Sequence, residues 1–334
     1  MHNLHRTGLK LSRKKKLLTL ILLIVLLSYL KLNNSLLLAD IQTNVLSLQL
    51  FRYENENLNI AELDIDEYDR AKMLNSPLIF IGGYPRSGTT LMRAILDVHA
   101  SVSCGPETKI IPPLLSMIKK YKTGTFMNEF NKLGYQNVSI DSATALFIYH
   151  IMENHIRTAE RLCAKDPDIL YYMEYLHRLF PKAKFVYMVR DGKAAAFSLM
   201  SRLEKYKTPN NYVKYLNTWN TCNSNFYRQC INVGAGSCMM VRYESLVVFP
   251  KETMVNVTRF LGLGWTEDFL KHDEFIRSKK VAVSETEWSS QQIKNPIYNR
   301  SLLNWVGHIK LNRSMIRFAY MLNVLNYKES RGLD

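Results

Sequence analysis

Nothing in these 334 residues repeats at a fixed period, and no low-complexity tract interrupts them, so repeat architectures are excluded. Acids are in deficit: 29 Asp and Glu face 44 Lys and Arg, for a net charge of +15. Six of those cations (Arg6, Lys10, Arg13, Lys14, Lys15 and Lys16) lie in residues 1–16, which hold no acid. The remaining 38 against 29 still leave about +9, which suits an anionic partner. No nucleic-acid motif accompanies this charge, so nucleic acid is not the expected partner. Cysteine is scarce and odd in number, at five, so at least one thiol stays outside any intramolecular pairing.

A full-length membrane span is also missing. The apolar run Leu17–Leu30 has 14 uncharged residues, where about 20 are usual. Extending it to Leu38 gives 22 residues, with Lys31, Asn33 and Asn34 as a defect. The basic cluster Arg13–Lys16 before it predicts a cytosolic tail over 1–16, a signal-anchor over 17–38 and a lumenal remainder, which is type II topology. A cleaved signal peptide is the competing reading, but Leu38-Ala39-Asp40 is a poor cleavage site. Residues 39–75 read as a polar stem, with acids at Glu62, Asp64, Asp66, Glu67 and Asp69. N-x-[ST] triplets at Asn33, Asn137, Asn256, Asn299 and Asn312 suit a glycoprotein. Cys230 and Cys238 enclose a short loop with Gly234 and Gly236 that can turn back on itself, a pairing suited to an oxidising lumen. Five free buried thiols remain the alternative.

From residue 76 onward the pattern becomes that of one large α/β domain. Leu78–Ile81, Lys184–Val189 and Met239–Tyr243 read as buried strands. Helical stretches are expected over Thr89–Val98, 142–157, 168–179, 192–204 and 210–230. Strands alternating with helices predict a central parallel sheet flanked by helices, with ligands at the C-terminal strand ends.

The first strand runs into Gly83-Tyr84-Pro85-Arg86-Ser87-Gly88-Thr89-Thr90, which opens a helix. Glycines let backbone curl around an anion, and a helix N-terminus turns free N–H groups and partial positive charge toward it. A nucleotide triphosphatase loop needs a lysine where Thr89 stands, so that chemistry is excluded. Likewise Val189-Arg190-Asp191 imitates a metal-binding acid, but Arg190 suits an anionic group better than a metal.

These blocks resemble the tyrosylprotein sulfotransferases. The resemblance runs from about Pro77 to Asn326 and rests on Ile81–Asp97, Cys104–Pro112, Cys163–Pro167, Val189–Gly192 and Trp305–Ile309 in order. It implies a P-loop-like sulfotransferase fold and sulfuryl transfer from 3′-phosphoadenosine 5′-phosphosulfate (PAPS) to tyrosine hydroxyls of secreted and membrane proteins, without a metal. Also implied are a homodimer, acidic substrate sequences and a place in the Golgi membrane.

Residue by residue, the resemblance assigns the 5′-phosphosulfate to Arg86, Ser87, Gly88, Thr89 and Thr90. The 3′-phosphate falls to Arg190, Ser198 and Arg202, the last two sharing one helix face. Further cofactor contacts fall on Tyr243 and on Ser289, Ser290, Gln291, Gln292, Ile293, Lys294, Asn295, Pro296 and Ile297. Glu107 is the implied base, and Lys165 and Ser289 the implied stabilisers of the transition state. Peptide contacts fall on Thr108, Lys109, Ile110, Ile111, Pro112 and Pro113. The pairs Cys104–Cys163 and Cys230–Cys238 are implied too, leaving Cys222 over.

Several positions depart from the family pattern. Lys109 and Pro113 stand where arginines are common, Asn295 where a lysine precedes the proline, and Asn304 where a basic residue precedes the tryptophan. The stretch Glu287-Trp288-Ser289-Ser290-Gln291 also departs from the usual wording. Two rivals therefore stay open: a carbohydrate sulfotransferase, and a lumenal binding protein without turnover.

Overall fold

The computed structural model describes residues 67–123, 125–133, 137–154, 159–205, 207–308 and 317–327. The tail, the signal-anchor and most of the stem fall outside these residues, as do Asn33 and Asn312. Among the described residues no helix is long and apolar enough to cross a membrane. The end of the expected stem is helical: α1 spans Glu67–Asn75, and Met73 is buried.

The chain divides into two units. The larger (73–112 and 148–334) holds a five-stranded sheet. Its strands are β1 (Ile79–Gly82), β2 (Val102–Ser103), β3 (Arg161–Lys165), β4 (Lys184–Val189) and β5 (Cys238–Arg242), in the order β2-β3-β1-β4-β5. Every neighbouring pair is parallel.

The central strands are buried on both faces, as unbroken apolar runs require. Strand side chains alternate between faces. Ile79 and Ile81 join Val186, Met188 and Val241 in a cluster with Met92, Ile95 and Leu96 of α2 (Thr89–Leu96). The same cluster takes in Leu246 of α9 (Tyr243–Val248) and Met254, Val257 and Leu261 of α10 (Pro250–Leu261). The intervening positions are aromatic. Register sets Phe80 beside Phe185, and their rings stack at 5.5 Å. Tyr187 meets Phe226 edge-on at 6.0 Å, from α8 (Pro209–Val233), which packs on α6 (Met173–Leu179).

Two cysteine pairs are joined, Cys104–Cys163 and Cys230–Cys238, while Cys222 is free and buried. Register explains the first. Val102 and Ser103 pair with Arg161 and Leu162, so the next residue along β2 lies beside Cys163.

The smaller unit includes residues 113–147. Within these residues lie most of α3 (Ile111–Thr123), all of α4 (Phe126–Lys132) and the start of α5 (Asn137–Glu153). Tyr121 packs edge-on to Phe126 at 5.3 Å, and Lys122 pairs with Asp141.

Candidate active site

At the carboxyl end of β1 the chain turns through Gly83, whose N–H donates to Pro167 O at 3.1 Å. A Cβ on Gly83 would come within 2.2 Å of the Met188 carbonyl oxygen, so only glycine fits between the two strand ends. Arg86 takes a left-handed φ of 75°, and Gly88 one of 94° as the residue before α2. Both turns aim the helix N-terminus at the cleft. No side chain caps α2 and no acid lies in its first turn, leaving its N–H groups for a ligand. The next helix beyond the sheet contrasts with it. In α7 (Gly192–Leu203) the Asp191 carboxylate closes the N-terminus, accepting from Lys193 N at 2.9 Å.

Arginines gather over this open end. Arg86 Nε donates to Ser198 Oγ at 3.0 Å, Nη1 to Ser289 Oγ at 2.6 Å and Nη2 to Gln292 Oε1 at 2.7 Å. Arg190 lies over the Tyr243 ring at 4.6 Å and donates to the carbonyls of Arg86 (3.1 Å) and Ser301 (2.7 Å). Arg202 donates to the Trp288 carbonyl at 2.5 Å. None of the three pairs with a carboxylate among the described residues. Burial, then the nearby charges of Arg190 and Arg202, pull Arg86 down to about 10. The Ser87 hydroxyl and Arg190 Nε are buried with no hydrogen-bond partner among the described residues. Uncompensated cations and orphaned donors around an uncapped helix form a cradle for a multiply charged anion.

The cradle forms part of a cavity of about 300 Å³ that also contains Glu107, Lys109, Lys165, Asp166 and Asp168. Lys165 ends β3, and its Nζ lies 2.7 Å from Glu107 Oε2 and 2.7 Å from Glu287 Oε1. Glu287 Oε1 also accepts from the Glu107 backbone N–H at 3.0 Å, while Oε2 pairs with Arg93 at 3.0 Å. Burial alone would push the Glu287 carboxyl up, but Lys165 and Arg93 hold it below the ordinary range. Asp166 moves the other way, to about 7, through burial and the neighbouring Glu107.

Of the residues expected at the site, Arg86, Gly88, Thr89, Thr90, Glu107, Lys109, Lys165, Arg190, Tyr243, Ser289, Gln292, Ile293, Asn295, Pro296 and Ile297 line this cavity. Ser198 and Arg202 join it through Arg86 and Trp288. Ser87 lies beneath the loop, fully buried. Ser290, Gln291 and Lys294 do not line the cavity: Ser290 is buried under the turn, and the other two face solvent. Thr108 and Ile111 border a smaller neighbouring recess with Asp166 and Ile169, and Ile110 and Pro112 line neither. Pro113 lies within α3, in the smaller unit. Exposed Asn304 precedes buried Trp305 and does not line the cavity.

Sequence reasoning missed Arg93, Asp166, Glu287 and Ser301 as site-builders. Asp166 had a usable signal, since an acid before proline opens a turn; it caps the turn by accepting from Asp168 N at 3.0 Å. Glu287 stood in the stretch compared with the family pattern but drew no role, being 180 positions from Glu107 in a stretch without periodicity.

A parallel sheet carrying an anion cradle and a carboxylate–lysine pair at its carboxyl end defines an α/β group-transfer site. A sequence model of the Sulfotransferase family matches residues 77–267, and the chain belongs to that family. It is similar to the protein-tyrosine sulfotransferase 2 of Gallus gallus, at 39% identity over 84% of this chain and 76% of that one. Similarity to the protein-tyrosine sulfotransferase 1 of Danio rerio is 40%, over 75% and 72% of the two chains. Among solved structures, the sulfotransferase domain of the Synechococcus PCC 7002 olefin synthase shares the fold. Its TM-score is 0.54 at 21% identity, over 76% of this chain and 96% of that one.

Proposed function

We propose that this protein transfers a sulfuryl group from PAPS to tyrosine hydroxyls of proteins. The observation that carries the reading is the Glu107–Lys165 contact of 2.7 Å in the same cavity as the anion cradle. A phenol has a pKa near 10 and is mostly protonated at neutral pH. Glu107 removes that proton as the oxygen attacks sulfur, while the bond from sulfur to the bridging phosphate oxygen breaks. Lys165 uses two of its three N–H donors on Glu107 and Glu287. Its third is free to meet the negative charge on the departing oxygen, with Ser289 beside Arg86 as a second donor. The residues present fit PAPS: Arg86 and the α2 N-terminus suit the 5′-phosphosulfate, and Arg190, Ser198 and Arg202 the 3′-phosphate. Arginines and Lys165 supply positive charge without a metal in this reading, so EDTA should leave turnover intact.

Acidic sequence around the acceptor tyrosine fits Lys109 and the basic balance of the chain, and a homodimer follows from the family resemblance. The Golgi membrane with the catalytic part lumenal fits the basic run before Leu17–Leu38 and the two joined cysteine pairs. Protease digestion of intact microsomes tests that orientation, and cleavage of the C-terminal part without detergent would refute it. For the activity itself, the test is radiolabelled transfer from PAPS to an acidic tyrosine peptide beside a panel of glycans. Label appearing in glycans alone would replace this reading with carbohydrate sulfation.

A further inference from the structure

We infer that Glu287 is the positioning residue of the active site, holding the Lys165 ammonium and the Glu107 backbone in working geometry from a segment far along the chain. The inference rests on the sulfuryl-transfer reading above. Glu287 makes every contact that such a role needs. Its Oε1 takes both Lys165 Nζ at 2.7 Å and the Glu107 N–H at 3.0 Å, and its Oε2 takes Arg93 at 3.0 Å. The carboxylate is 1% exposed, against 17% for Glu107, so it is closed to an acceptor and is not itself the base. Arg93 anchors it from α2, with Nη1 also bound to the Ala282 carbonyl at 2.6 Å. One residue thereby ties the helix after the phosphate loop, the end of β3 and the loop carrying Glu107.

The same residue also sets where Ser289 stands. Ser290 N–H donates to the Glu287 carbonyl at 3.0 Å, and Gln292 and Ile293 N–H groups close on the Ser289 carbonyl. These turns hold Ser289 two residues from a fixed point, with its hydroxyl 2.6 Å from Arg86. Without Glu287, Lys165 would rest on Glu107 alone. The charged groups facing this cluster are Arg93 from α2, Glu107 and Lys109 from the loop after β2, and Lys165, Asp166 and Asp168 from β3 and its turn.

The test substitutes Glu287→Gln in the full chain. The expected result is a fall in kcat of about a hundredfold, the cost of displacing catalytic groups, with little change in KM for PAPS. Glu287→Asp keeps the charge on a shorter arm and should recover part of the lost kcat. Because Glu287→Gln strands the buried Arg93 charge, the double variant Arg93→Met/Glu287→Gln provides a form without that penalty. Competitive labelling of lysines with acetic anhydride, read by peptide mass spectrometry, follows Lys165 independently of turnover. At a single pH its labelling should quicken in both variants, because the ammonium loses one of its two carboxylate partners. A wild-type protein inactive on every acceptor would defeat the sulfuryl-transfer reading, while the labelling would still decide the role of Glu287. Unchanged kcat and Lys165 labelling in a folded variant would overturn the proposal, as would a loss confined to KM for PAPS.

Discussion

At the scale of single residues, two side chains separate binding from chemistry. Arg86 donates once from each guanidinium nitrogen, to Ser198, Ser289 and Gln292, which leaves two N–H groups for a ligand, and among the described residues no carboxylate pairs with its charge. Arg86→Ala removes a cation from a crowded, largely desolvated cradle. A lost charge-assisted contact costs about 1.5–3 kcal/mol, so the Kd for the desulfated nucleotide should rise roughly 10- to 150-fold by calorimetry. Glu107→Gln keeps shape and one acceptor but cannot take a proton. Turnover should fall by about 10²–10⁴-fold while nucleotide affinity survives, because Glu107 contacts Lys165 rather than the arginine cradle. A folded Glu107→Gln protein with near-normal turnover would shift the base to another acid, with Asp166 next in line in the cavity.

At the scale of elements, the sheet explains why some of the site was readable and some was not. β1, β4 and β5 are apolar runs bounded by turn residues, and their burial pattern is legible in one dimension. β2 is two residues long, and β3 begins with Arg161 and ends with Lys165, so neither stands out as a strand. Helix α3 begins Ile-Pro-Pro, which reads as a break, yet proline is tolerated in a first turn where N–H groups have no partner. The stretch 282–302 offers turns and short 3-10 segments without a period, and only family resemblance marked part of it. The role of Glu287 was not legible because its partners are supplied entirely by tertiary packing. The pair Cys104–Cys163 lies between two elements that sequence left unassigned, yet it fixes them. It closes 59 residues of chain and links the loop of Glu107 to the strand of Lys165. Cys104→Ser/Cys163→Ser should therefore cost about 2–4 kcal/mol in denaturant unfolding. It should also lower kcat more than nucleotide affinity, whereas Cys230→Ser/Cys238→Ser should leave the ratio of those effects unchanged.

At the scale of the whole molecule, the buried acids give stability a direction with pH. Asp166 is raised from 3.8 to about 7, first by burial and then by Glu107, and Asp168 is raised by the same two causes. Asp191 is raised chiefly by burial. An acid whose folded value lies above its unfolded one binds its proton more tightly in the native state. Its contribution is complete below the unfolded value and is lost as pH climbs through the folded one. For Asp166 that window runs from about 4 to about 7. Glu287 works in the opposite sense: held below its ordinary 4.5 by Lys165 and Arg93 against the cost of burial, it stabilises above that value and fails as pH falls through its lowered one. Together these groups predict greatest stability between the two limits, in mildly acidic solution, with a decline toward neutrality. Asp166→Asn isolates the alkaline side of that curve. An asparagine oxygen can still accept from Asp168 N–H, so the turn after β3 keeps its cap. The variant should melt at higher temperature than the parent at pH 8, where Asp166 is charged in a buried site. Near pH 5 Asp166 is already protonated when folded, and the difference should shrink. Calorimetric melting of both proteins across pH 5–8 measures it, and a constant difference over that range would remove Asp166 as the source of the pH dependence.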